Sequence, residues 1–249
     1  MPPASAERLL RWSLAFVWLA TGLLVAHPYY RLEGMRWLGP LGLGSWVMFA
    51  TCAAEIALAA VVVARPTTTF FAVAQTGLIV AFTLILSALD PMLLVHPFGV
   101  LTKNVPLVAA IWGAWLLHRE GDTDRAAWAL RVGVASVWIT EGLFPKLLFQ
   151  QAMEIDVVTA WGFSASTASV LIRVMGVLQV TAGVLSLLLR GRLLGWLYGA
   201  FVLALLLLPL VVTIAMPLTW AHPFGPLTKN VVILAAAYVL YRRCTRTSS

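Results

Sequence analysis

Between Arg65 and Asp90, and again between Arg192 and His222, this chain carries no charged side chain. Each stretch exceeds the roughly 20 apolar residues that a helix needs to cross the hydrocarbon of a bilayer. A soluble domain of 249 residues could not hide two such runs together with the rest of a sequence that is 61% hydrophobic and 11% charged; soluble domains carry about 25% charge. A soluble enzyme is thereby excluded. So is intrinsic disorder, which requires low hydrophobicity and high charge. The class expected is an all-α polytopic membrane protein. Eight segments fit as transmembrane helices, roughly 9–26, 44–64, 67–89, 99–117, 126–144, 167–189, 193–215 and 225–241. The first follows Arg8 and Arg11, and with no small-x-small cleavage site behind it the expectation is an uncleaved span.

Basic residues orient such a chain. Eight spans put both termini on one side, which then holds 11 basic residues against 6 on the other. The positive-inside rule places both termini in the cytoplasm. The net charge of +7 is thus spent on orientation, and no Lys/Arg block of nucleic-acid type occurs. The opposite face still keeps all three lysines, Lys103, Lys146 and Lys229, and three of the four histidines, His27, His96 and His222. Orientation alone does not account for cations there. Cys52, in an apolar run, and Cys244, in the basic tail, are too few and too oddly placed for a disulfide framework or a Cys-type metal site.

One motif occurs twice. His96-Pro-Phe-Gly-Val-Leu-Thr-Lys-Asn-Val105 returns as His222-Pro-Phe-Gly-Pro-Leu-Thr-Lys-Asn-Val231, nine of ten positions matching at an offset of 126. Trp18-x-x-x-Gly22-Leu23 faces Trp138-x-x-x-Gly142-Leu143. Residues 1–120 and 121–249 read as two repeats of four spans, joined by the polar stretch 118–125. Because four is even, the repeats share one orientation and should be related by an axis along the membrane normal, as two four-helix bundles.

These motifs resemble the DoxX-like membrane family, whose members usually have one four-helix unit. Glu141-Gly-Leu-Phe-Pro-Lys146 is similar to the family's first-span ending, and Arg173-x-x-Gly176-x-x-Gln179 to a pattern that usually ends in Glu. The first half departs from both: Thr21 and Ala26 stand where Glu141 and Lys146 do, and Phe49, Cys52 and Glu55 where Arg173, Gly176 and Gln179 do. The resemblance implies a fused tandem pair in a bacterial inner membrane. Through the better-known DoxX and DoxD proteins it also implies a link to quinone-linked sulfur oxidation.

The candidate ligand-binding residues are His96, Lys103 and Asn104 with Glu55, and His222, Lys229 and Asn230 with Glu141, Lys146 and Arg173. The motif is expected to open a helix, with Pro97 or Pro223 at its first turn and His96, Gly99 and Lys103 on one face. A lysine there opposes the positive end of the helix dipole, which points to an anionic or hydrogen-bond-accepting partner. Glu55 lies deep in the second span, where a lone ionised acid costs a few kcal/mol and calls for a partner or a wet cavity. Lys103 is the expected partner of Glu55, and Lys229 or Arg173 of Glu141. His27, Tyr29 and Tyr30 read as an interfacial belt, and Asp90 as a helix cap. No metal site is expected, since His96 and His222 fall in separate repeats. No phosphate loop, dinucleotide fingerprint or nucleophile elbow occurs, so nicotinamide chemistry would need a partner protein.

The leading expectation is a membrane protein that binds a small anionic or quinone-type ligand at its extracytoplasmic end, as a component of a redox system. Its lysines would act as electrophilic or proton-donating groups and Glu55 or Glu141 as proton acceptors. The alternatives are a non-enzymatic scaffold, chaperone or cargo receptor for an exported partner, and a small-solute transporter. Expected partners are the lipid bilayer, a redox or exported protein, and further copies of the chain.

Overall fold

The computed structural model describes residues 1–246, so the last three residues of the expected second repeat lie outside it. Among the described residues there is no strand. The helices are α1 (Pro3–Leu23), α2 (Pro28–Leu38), α3 (Ser45–Ala64), α4 (Thr69–Leu89), α5 (Asn104–Glu120), α6 (Asp124–Gly142), α7 (Ala152–Thr159), α8 (Ala165–Leu188), α9 (Gly191–Ala215) and α10 (Asn230–Arg246). Their starts follow local chemistry. Thr68, Thr123 and Ser164 each accept a hydrogen bond from the backbone N–H three residues on, capping α4, α6 and α8. Asp90 ends α4 and accepts from Met92 N at 2.9 Å, the expected cap.

Each of the eight expected segments is represented by a helix. Five are long and apolar enough to cross a bilayer: α1 with its following turn, α3, α4, α8 and α9. A sixth results if α6 and α7, bent by 92°, are taken as one broken span. The remaining two, α5 and α10, have 17 residues each and begin five residues later than predicted. The cause is the motif itself. It is not a helix start: Gly99 (φ +67°), Phe98 (φ +66°) and Gly225 (φ +57°) adopt the left-handed conformation and break the chain into turns. His96, Gly99 and Lys103 therefore do not share a helix face as predicted.

The short helices are the inner ones. α5 packs on both α1 and α6, and α10 on α1, α6 and α9. Leu10, Leu14, Ile111, Leu130 and Ile233 are fully buried at this centre. By contrast α3, α4, α8 and α9 present apolar side chains outward, such as Leu84, Leu188, Trp196 and Ile214. In water that surface would be prohibitive; in a bilayer it faces lipid.

Corresponding contacts recur in the two halves. Gly22 of α1 meets the Cys52 carbonyl of α3, where an added Cβ would lie 2.7 Å from the oxygen. Gly142 of α6 meets the Gly176 carbonyl of α8 in the same way, at 2.6 Å. Small residues let these backbones approach. At the other end of the same helix pairs, Arg11 donates to the carbonyls of Val62 and Arg65 at 3.1 and 3.0 Å. Arg131 donates to those of Ser186 and Leu189. Each guanidinium satisfies the orphan carbonyls that close α3 or α8. This end also holds the termini and the linker: Arg246 reaches Met1 O, and Arg243 reaches Asp122 and Asp124.

Candidate functional site

The two motifs meet at the opposite end and cross over. Lys103 Nζ donates to Pro226 O at 2.9 Å, and Lys229 Nζ donates to Val100 O at 2.9 Å. Pro226 and Val100 are the same position of the repeat, so each lysine caps the other half's motif. Both lysines are at least nine-tenths buried. In place of a helix start, the turns present the Val100 and Pro226 carbonyls to the other motif's lysine. The His96 and His222 rings come together, centroids 6.1 Å apart, although sequence places them in separate repeats. Both imidazoles titrate below the usual histidine range, His222 at about 4. Burial is the main cause for each; for His222 the neighbouring His96 and Lys229 add to it.

Crossing the motifs builds two cavities, each from both halves. The larger, about 350 Å³, lies among the first half's helices. Trp18 and Thr21 of α1, Tyr30 and Trp37 of α2, and Cys52 and Glu55 of α3 line it, together with Leu101 and Asn104 of the first motif. The second motif closes it with Phe224 and Lys229. The smaller, about 160 Å³, lies in the second half. Trp138 and Glu141 of α6, Lys146, Glu154 of α7 and Gln179 of α8 line it, with Leu227 and Asn230 of the second motif. Here Phe98 and Lys103 of the first motif close the cavity. A Cβ on Gly99 would run into Glu141 Oε1, so the first motif sits directly on the second half's acid.

The expected pairings are thus exchanged. Lys103 shares its cavity with Glu141, not Glu55, and Lys229 shares its cavity with Glu55, not Glu141. The reason is topological: the turn at each motif carries its lysine across to the neighbouring half before the last helix begins. Asn104 accepts from Lys229 at 2.7 Å and donates to Thr83 at 2.8 Å. Asn230, its counterpart, makes no such bond with its Oδ1. Arg173 is exposed and lines neither cavity, because its position on α8 faces away from α6.

Several lining residues were not anticipated. Tyr30, expected in an interfacial belt, is buried, with its hydroxyl 3.3 Å from Cys52 Sγ. Glu154 is buried on α7 and pairs with Lys146 at 2.6 Å. Lys146 also donates to the Glu141 carbonyl at 3.0 Å, from within a π-helical turn spanning Leu143–Leu148. Such turns commonly mark functional positions. Tyr30 and Glu154 lie on short helices between clear spans, where periodicity is weak. Their only sequence signal is an acid or phenol in a segment that follows the first span of each half.

No curated protein and no solved structure matches this chain. The sequence profile of the DoxX-like family matches it twice, over residues 15–112 and 135–238. Those limits enclose both Trp-x-x-x-Gly segments, both motifs and both cavities, so the chain belongs to the DoxX-like family as a tandem duplication.

Proposed function

We propose that this protein is an eight-span membrane protein that binds a quinone-type ligand in its larger cavity, as the membrane component of a redox system. The observation that carries the reading is the composition of that cavity. Its walls are apolar and aromatic, with Trp18, Trp37 and Phe224 offering ring faces. Its charged groups are two, Lys229 and Glu55, and its other polar side chains are Asn104, Tyr30, Thr21, Thr51 and Cys52. A planar ring with two carbonyls needs apolar faces and one or two donors, and Lys229 keeps a third N–H beyond its two protein partners. A simple anion fits less well, because Glu55 sits in the same cavity. When bound, a quinone supplies reversible two-electron, two-proton chemistry. Glu55 and Lys229 are groups able to hold a proton beside it, and electrons would come from a partner protein.

In this reading the halves are parallel four-helix units about an axis normal to the membrane. The arginine-rich end with the termini is cytoplasmic and the motif end extracytoplasmic, in a bacterial inner membrane. The test is titration of detergent-purified protein with decylubiquinone, followed by tryptophan fluorescence and by mass spectrometry of extracted quinone. Lys229→Met and Phe224→Ala should weaken binding at least roughly tenfold, the loss of one charged hydrogen bond or one aromatic contact. Lys103→Met should not. Absence of saturable binding to the wild type, or equal effects of the two lysine variants, sinks the reading.

A further inference from the structure

The smaller cavity differs from the larger in how many of its buried polar atoms lack a partner: four acceptor oxygens and one donor, Trp138 Nε1, against a single oxygen. Four buried acceptor oxygens on its lining, Glu141 Oε1, Glu154 Oε2, Gln179 Oε1 and Asn230 Oδ1, receive a hydrogen bond from no described residue. In the larger cavity Glu55 Oε2 alone is in that position among the lining oxygens. Glu141 and Glu154 are more than nine-tenths buried. Ionised carboxylates can only accept, and a buried acceptor left without a donor is costly. Four on one small wall, contributed by α6, α7, α8 and α10, form a built acceptor surface rather than an isolated defect.

Charge limits what can satisfy it. Lys103 and Lys146 balance Glu141 and Glu154, so neither an anion nor a cation gains from entering. Lys146 is committed to Glu154 and to the Glu141 carbonyl, whereas Lys103 makes one bond, to Pro226 O, and retains two N–H groups. The complementary molecule is therefore uncharged, donates several hydrogen bonds and accepts at least one. Hydroxyl groups do both. The volume of about 160 Å³, less than half that of the larger cavity, restricts the occupant to a small molecule such as a short polyol. Trp138, Ile172 and Leu205 supply apolar surface for its C–H face, and Trp138 Nε1, a buried donor without an acceptor, adds a further N–H from which the occupant can accept. A quinone carbonyl could accept from Lys103 or Trp138 but would leave the four oxygens without a donor.

We propose that the cavity between Glu141, Glu154, Gln179, Asn230 and Lys103 is a second, distinct site for a small uncharged polyhydroxyl group. That group is a free polyol or the glycerol headgroup of a lipid. The proposal goes beyond the quinone reading and does not depend on it, because the two cavities share no lining residue.

The experiment uses full-length protein in a detergent without a sugar headgroup and erythritol as the probe, with binding read by saturation-transfer NMR and calorimetry. Saturable erythritol binding is expected. Asn230→Leu and Gln179→Leu, which leave the charge balance untouched, should each weaken it roughly tenfold, about 1.4 kcal/mol. Lys229→Met, in the other cavity, should leave it unchanged. Displacement of erythritol by dioleoylphosphatidylglycerol but not by dioleoylphosphatidylcholine assigns the site to a lipid headgroup; lack of displacement by either assigns it to a free polyol. No saturable binding to the wild type overturns the proposal. So does binding undiminished in both leucine variants, provided they keep wild-type melting temperatures. So does equal loss in Lys229→Met.

Discussion

Lys103 and Lys229 occupy the same position of one motif, yet the acid each faces is different. Glu55 stands where the second half has Gln179, and Glu141 where the first has Thr21. Charges taken out of water couple strongly over short distances, so partners should be visible in a double-mutant cycle. For Glu55→Leu with Lys229→Met we expect a stabilising coupling of about 0.5–3 kcal/mol by chemical or thermal denaturation. For Glu55→Leu with Lys103→Met we expect additivity within about 0.5 kcal/mol. The reverse pattern would mean that the motifs do not cross. A second consequence concerns His222, which lies against His96, Tyr29 and Phe224 with Lys229 nearby. Its folded-state pKa, about 4, lies below the ordinary 6.5. Between those values the unfolded chain binds the proton and the folded chain does not, so stability present above pH 6.5 is lost as pH falls toward 4. Melting temperatures measured from pH 7 to 4.5 should decline, and His222→Gln should flatten the decline. A variant with the wild-type slope would assign the loss elsewhere.

At the scale of helices, the close crossings that align Trp18 and Trp138 with their cavities depend on glycine. Gly142 lies against the Gly176 carbonyl and the Gln179 and Val180 side chains, all within 3.0 Å of an added Cβ. Gly142→Val should force α6 from α8, destabilise by about 2–4 kcal/mol through overpacking and open the smaller cavity. Gly77 on α4 has nothing within 4 Å of an added Cβ, and Gly77→Ala should be neutral or stabilising by up to about 1 kcal/mol. Similar melting temperatures for the two variants would contradict the close crossing. The helices themselves were legible because apolar length is a strong signal, as in the charge-free runs of α4 and α9. The start of α5 was not. Pro97 and Gly99 are compatible with either a first helical turn or a left-handed break, and only the approach of Glu141 and of the second motif decides between them. The repeat displayed the lysines and asparagines of the candidate site. It could not say which half each serves, since identical motifs give the same local signal whether they fold back or cross. Arg173 shows the converse failure, a patterned charge whose helix position turns it outward.

For the whole molecule the crossing means that neither half completes a cavity alone. Phe224 and Lys229 close the first half's cavity, and Phe98 and Lys103 close that of the second. Leu10 and Leu14 of α1 share one buried core with Ile111 of α5, Leu130 of α6 and Ile233 of α10. The connection between halves, by contrast, is a polar turn with exposed Glu120, Asp122 and Asp124, at the end where Arg246 meets Met1. Covalent continuity at this turn should thus matter little for stability, whereas burial between the halves should matter a great deal. A protease site inserted at Gly121 tests this together with the orientation. In inside-out vesicles the added protease should cut, while in intact spheroplasts it should not. The cleaved protein should then elute from size-exclusion chromatography as one species with its decylubiquinone affinity unchanged. Cutting only in spheroplasts would invert the topology. Separation of the two fragments in mild detergent would mean that each half is a self-sufficient bundle, and that the exchange of motifs across the centre does not hold the molecule together.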